Sequence, residues 1–143
     1  MIVDLVRGQA PPFDPQNVTR TFAALVKGYG LRAITGDNYA ASWVETAWLA
    51  EGVVFERSKL SRSELYLEAI PLFTRELISL PNHPRLLREL RLLERRTSRV
   101  GKDIVDHGRN GSDDYSNSAV GAANVSSVVI PRAHEFLHMR GMF

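Results

Sequence analysis

The chain has 143 residues, 44% of them hydrophobic and 24% charged, with a formal net charge of +2 and no cysteine. That length suits one domain able to bury a core without metal or disulfide support. The missing thiols exclude a disulfide framework, a thiolate metal site and a cysteine nucleophile, so any metal must be held by oxygen or histidine, and a reducing cytoplasm is the expected setting. No apolar run approaches the length that spans a bilayer, and residues 1–7 lack a secretory h-region, which points to an intracellular protein without a membrane partner.

Residues 2–6 are a short apolar run that reads as a strand, followed by the loop from Gly8 to Pro12. Asp14 and Pro15 mark a helix start, with the acid at the N-cap and proline at the first helical position, ahead of Val18, Phe22, Leu25 and Val26 at helical spacing. That helix should end between Gly28 and Gly30. Residues 31–35 read as a second strand, running straight into Gly36 and Asp37. A helix is predicted over about 39–50, closed by Gly52, and residues 53–56 read as a third strand. Ser61 and Glu64 form a capping-box signature for a helix reaching toward Glu76, with Pro71 expected to bend or split it. Residues 78–80 read as a short strand. Pro81 and Pro84 frame a helix that places Leu86, Leu87, Leu90 and Leu93 on one face and Arg88, Arg91 and Arg95 on another. Residues 104–107 read as a final strand, and 112–125 as a helix rich in small residues that can pack closely on a sheet. Strands alternating with helices predict a layered α/β domain with a mostly parallel or mixed sheet. Neither a phosphate-binding Gly-x-x-x-x-Gly-Lys-[Ser/Thr] loop nor a Gly-x-Ser-x-Gly nucleophile elbow is present.

The chemistry concentrates at Asp113 and Asp114, adjacent acids that a glycine-bracketed loop delivers to a helix start. Two such charges about 6 Å apart repel by about 3 kcal/mol at an effective dielectric near 20, whereas a helix N-terminus returns only about 0.3–1 kcal/mol. A divalent cation would close that gap. The alternative is that Ser112 caps the helix and the two acids splay apart into water. In an open α/β sheet ligands bind beyond the carboxyl ends of strands, which is where Asp37 falls and where Asp113 and Asp114 could join it. Two-metal phosphodiester hydrolysis needs several hard oxygen ligands to hold cations about 4 Å apart, a purpose that acids from different strands serve. Asp37 could equally cap the helix after it.

Basic residues bunch between Arg85 and Arg109, where Arg88, Arg91, Arg95, Arg96, Arg99, Lys102 and Arg109 face only Glu89, Glu94, Asp103 and Asp106. Arginine forks match phosphate oxygens, so nucleic acid is one reading of this stretch; a solvated face with internal ion pairs is the other. His107 beside Asp106 is a candidate ligand or proton carrier, or a hydrogen-bonded surface residue. His134, Glu135 and His138 formally match the His-Glu-x-x-His zinc motif, in a short tail with no room for a downstream ligand.

The order of these motifs resembles the C-terminal nuclease domain of tailed-bacteriophage terminase large subunits, a ribonuclease H-like fold, over residues 1–124. The resemblance is carried by the segments 11–15, 34–40, 56–66, 80–86, 93–97 and 101–107, and by Gly111-Ser112-Asp113-Asp114 with Asn117 and Ala119. It implies a mixed sheet flanked by helices over residues 1–127, a C-terminal tail over 128–143, and an endonuclease that cuts concatemeric viral DNA during packaging with Mg²⁺ or Mn²⁺. By the same resemblance Asp37 matches the second-strand acid, and Asp113 and Asp114 match the C-terminal acidic pair, with Asp114 the stronger candidate ligand. Arg88, Arg91, Arg95, Arg96, Arg99 and Arg109 are then the expected contacts to double-stranded DNA. Ser112 stands where the family commonly has histidine. Residues 1–7 match the hairpin partner of the strand bearing the family's first aspartate, so the chain reads as N-terminally truncated and Asp4 is not that ligand. An inactive remnant binding DNA or protein is the alternative. Either form implies a phage or prophage protein in the bacterial cytoplasm, with terminase or portal components as partners and a homodimer through an exposed sheet edge.

Overall fold

The computed structural model describes residues 1–38, 41–99, 101–109 and 111–129, and two pairs of strands carry its sheet structure. Strands β1 (Ala33–Gly36) and β2 (Val54–Arg57) run parallel, Ala33 beside Val54 through Gly36 beside Arg57. Parallel neighbours need a crossover, and helix α2 (Ser42–Ala50) supplies it. Strands β3 (Leu93–Thr97) and β4 (Asp103–His107) form an antiparallel hairpin, with Leu93 opposite His107 and Thr97 opposite Asp103. Helix α1 (Pro15–Gly28) precedes β1, α3 (Arg62–Thr74) and α4 (Pro84–Arg91) separate β2 from β3, and α5 (Asp114–Val129) follows β4. The result is the mixed α/β architecture that the strand–helix alternation predicts.

Local chemistry sets the helix ends. Asp14 accepts from the Gln16 amide at 3.1 Å, with Pro15 next to it at the start of α1. At α3 the Ser61–Glu64 box closes in both directions, and the helix runs unbroken through Pro71, correcting the expectation of a split there. α1, α2 and α3 all finish in the same double-bonded motif: the amide two residues past the C-cap reaches back to Val26, Trp48 and Leu72 respectively. The left-handed residue this motif needs is Gly30 in α1, Gly52 in α2 and, unusually, Glu76 in α3, at φ 55°.

The core joins three elements. Leu65, Tyr66 and Ala69 of α3 pack on Val105 of β4 and Val120 of α5, with Leu60, Leu67, Leu90 and Leu93 around them. Ala119, Val120 and Ala123 are buried along α5, so its small side chains let it lie close against α3. α5 also packs on α4 and on β1.

Four sequence readings are corrected by this arrangement. Residues 2–6 and 78–80 do not form strands; one parallel bridge, Ile2 with Ser79, joins them. α2 begins at Ser42, not near residue 39. Most consequentially, the helix read through Leu93 stops at Arg91, and Leu93 and Arg95 lie on β3, so Arg95 does not share a helix face with Arg88 and Arg91. Pairing with β4 satisfies the backbone of residues 93–97 in register, and that long-range contact overrides local helical spacing. Residues 130–143 lie outside the described residues, and with them most of the expected tail and the His134–His138 motif.

Candidate functional site

Asp37 stands immediately beyond the carboxyl end of β1, exposed, as the sequence predicts. Arg57, at the end of the neighbouring strand, braces this rim: its Nη1 donates to the Asn38 carbonyl at 2.7 Å and its Nε pairs with Glu45 of α2 at 2.6 Å.

At the other acidic locus the two carboxylates part company. Asp113 turns inward and is 7% exposed. Arg62, the first residue of α3, spans two acids there, with Nη1 3.2 Å from Asp113 and Nη2 3.1 Å from Asp106 at the end of β4. One turn along α3, the Tyr66 hydroxyl lies 3.4 Å from Asp113 and 2.8 Å from the Ser116 hydroxyl. Burial raises the Tyr66 phenol pKa, so it stays a neutral hydrogen-bonding group. Asp114 turns outward into a groove whose walls include Val3, Leu5, Arg7, Phe22, Tyr115 and Ala122. The repulsion expected between the adjacent acids is thus relieved by opposite orientation and by an arginine.

Ser112 is not the cap of α5. That role belongs to Glu89 of α4, 5% exposed, whose Oε2 accepts from the amides of Tyr115 at 2.8 Å and Ser116 at 3.0 Å. Its Oε1 takes Arg85 Nε at 3.3 Å, and the Ser112 hydroxyl lies within reach of both Glu89, at 3.2 Å, and Asp114, at 3.1 Å. Arg85 also stacks on the Tyr115 ring at 4.9 Å, against which His83 packs from the α4 N-cap. Sequence reasoning passed over Glu89 as one acid in a basic run. The only available signal was a glutamate on the same helix face as Leu86, a buried position.

His107 donates Nδ1–H to the Gly108 carbonyl, 2.9 Å away, and its Nε2 lies 3.8 Å from Asp106. The carbonyl, and then the Asp106 charge, raise its pKa above the ordinary histidine value.

Of the arginines expected to meet DNA, Arg95 pairs with Asp103 and Arg96 with Glu94. Arg88, Arg91, Arg99 and Arg109 are exposed, and among the described residues none of them is in an ion pair. Among the described residues the basic run therefore divides into ion-paired cations, Arg85 on α4 and Arg95 and Arg96 on β3, and cations in no ion pair, Arg88 and Arg91 on α4, Arg99 at the hairpin turn and Arg109 in the loop after β4.

Carboxylates are the right donors for Mg²⁺ or Mn²⁺. Their placement falls short: among the described residues no group of three histidine, aspartate or glutamate side chains comes together to hold a metal ion. Asp37 and Asp114 do not amount to a closed coordination shell.

No protein-family model and no curated protein sequence matches the chain. Solved structures do. The chain is similar to the large terminase nuclease from thermophilic phage G20c, at 20% identity and TM-score 0.67, covering 76% of this chain and 61% of that one. Forms of that nuclease with bound cobalt and with bound magnesium match at TM-score 0.65. The Thermus phage P74-26 large terminase nuclease domain matches at 21% identity and TM-score 0.63, over 77% of this chain and 59% of that one. The chain thus spans about three-fifths of the nuclease domains it matches, and shares their ribonuclease H-like fold.

Proposed function

We propose that this chain is a DNA-processing domain of the phage terminase large-subunit type, cutting concatemeric viral DNA with Mg²⁺ or Mn²⁺ in the cytoplasm of a bacterial host. The observation that carries the reading is the fold shared with two phage terminase nucleases, together with Asp37 in the position that such a sheet reserves for ligands, beyond a strand's carboxyl end. In this reading Asp37 and Asp114 would hold the divalent metal, and the chemistry it would supply is polarisation of the phosphodiester and activation of water. Asp113 assists at most indirectly, because Arg62 neutralises it. Arg88, Arg91, Arg99 and Arg109 hold DNA phosphates. Terminase or portal components are the expected protein partners.

A second reading is favoured by the lack of a third ligand among the described residues: a module that grips DNA or packaging proteins without cutting. Plasmid nicking in Mn²⁺ separates the two. The nuclease reading expects nicking by the wild type that falls to background in Asp37→Ala and Asp114→Ala. Equal cutting by all three proteins would mark contamination, and no cutting by any, with DNA binding retained, would establish the binding module.

A further inference from the structure

The acid cluster at the start of α5 carries its own cation. We propose that Arg62 occupies, on Asp113 and Asp106, the position a divalent ion would need, so that Asp113 is closed to metal while this arginine is in place. The inference rests on the metal-binding reading of the neighbouring Asp114 and explains why the pair of adjacent acids does not act as one site.

Three observations carry it. Asp113 and Asp106 arrive from different elements, the start of α5 and the end of β4, and one guanidinium reaches both, each through a different terminal nitrogen, at 3.2 and 3.1 Å. A planar fork with fixed nitrogens bridges two carboxylates in this way, whereas a lysine could offer only one point of charge. Second, Asp113 is nearly buried, so its charge must be neutralised by something, and Arg62 and the Tyr66 hydroxyl are the groups that face it. Third, the Arg62 side chain is 40% exposed but springs from a fixed backbone. Arg62 is the first residue of α3, directly after the Ser61–Glu64 capping box, and Ser63 next to it is bonded to the Val105 backbone in both directions. A Mg²⁺ or Mn²⁺ ion coordinates carboxylate oxygen at about 2.0–2.2 Å. At Asp113 it would lie against a guanidinium nitrogen, and the two cations would repel. Binding there requires Arg62 to leave.

The test is Mn²⁺ binding by titration calorimetry and by loss of the free-ion paramagnetic resonance signal. Arg62→Gln, which removes the charge and keeps hydrogen-bonding capacity, is expected to bind Mn²⁺ at least tenfold more tightly than wild type, or to take up one more ion. Adding Asp113→Asn to that variant should abolish the gain. In the wild-type background Asp113→Asn should leave Mn²⁺ affinity unchanged. The proposal is overturned if folded Arg62→Gln gains nothing, or if Asp113→Asn alone weakens Mn²⁺ binding, which would make Asp113 a ligand with Arg62 present. Should Arg62→Gln fail to fold, the Asp113→Asn comparison still decides. None of these readouts needs cleavage: a wild type that never nicks DNA would defeat the nuclease reading and leave this one to the titrations.

Discussion

At the scale of single residues, this molecule is governed by where charges find partners. Asp113 and Asp114 are neighbours in the chain and opposites in environment, one held by Arg62 and Tyr66, the other beside Ser112 in a groove. Nothing in their spacing separates them, because the difference arises from α3, some fifty positions earlier. His107 offers a test at this scale. Its folded-state pKa lies above the ordinary value, chiefly through the Gly108 carbonyl and then Asp106, so the folded protein favours the protonated ring. The stabilisation is therefore fully present below the unfolded-state pKa and lost as pH rises through the folded one. Proton NMR of the ring should give a midpoint above that of an unfolded histidine, and Asp106→Asn should lower it. A midpoint at or below the ordinary value would show that Gly108 and Asp106 do not act on the ring as their distances suggest.

At the scale of elements, signals written in neighbouring residues were legible and those set by distant partners were not. The Asp14–Pro15 and Ser61–Glu64 starts are local chemistry, readable because the capping side chain and the amides it serves lie within three residues. The end of α4 was not readable. Leu93 and Arg95 continue its helical spacing, and only their pairing with β4 turns them into a strand. The end of α3 is a compromise, since Glu76 holds the left-handed position that glycine fills in α1 and α2. A side chain costs about 1–2 kcal/mol there, while glycine costs about 0.5–1 kcal/mol more in the unfolded chain. Glu76→Gly should accordingly stabilise the protein by about 0.5–1 kcal/mol in urea denaturation. A loss of stability would mean that the Glu76 side chain makes a contribution larger than its backbone strain.

At the scale of the whole molecule, the fold sorts the basic run into cations spent internally and cations left over. Replacing Arg88, Arg91 and Arg99 together by alanine should weaken DNA binding uniformly across sequences and lower the slope of log affinity against log salt by about 2–3. The Arg95→Ala, Arg96→Ala pair should change that slope less, because those charges already face Asp103 and Glu94. Equal slopes in all three proteins would return the free arginines to the solvated surface. Among the described residues β1 and β2 pair only with each other.

The sequence alone determined the α/β class, the order of most elements, the ribonuclease H-like resemblance and the place of Asp37 at a strand end. All of these depend on periodicity, capping and motif order, which are properties of neighbours along the chain. Tertiary structure alone decided that Arg62 serves Asp113, that Glu89 caps α5 from another helix, and which arginines are in no ion pair among the described residues. Those outcomes depend on burial and on partners brought together across tens of residues, where the need to neutralise a desolvated charge selects the contact and no local pattern records it.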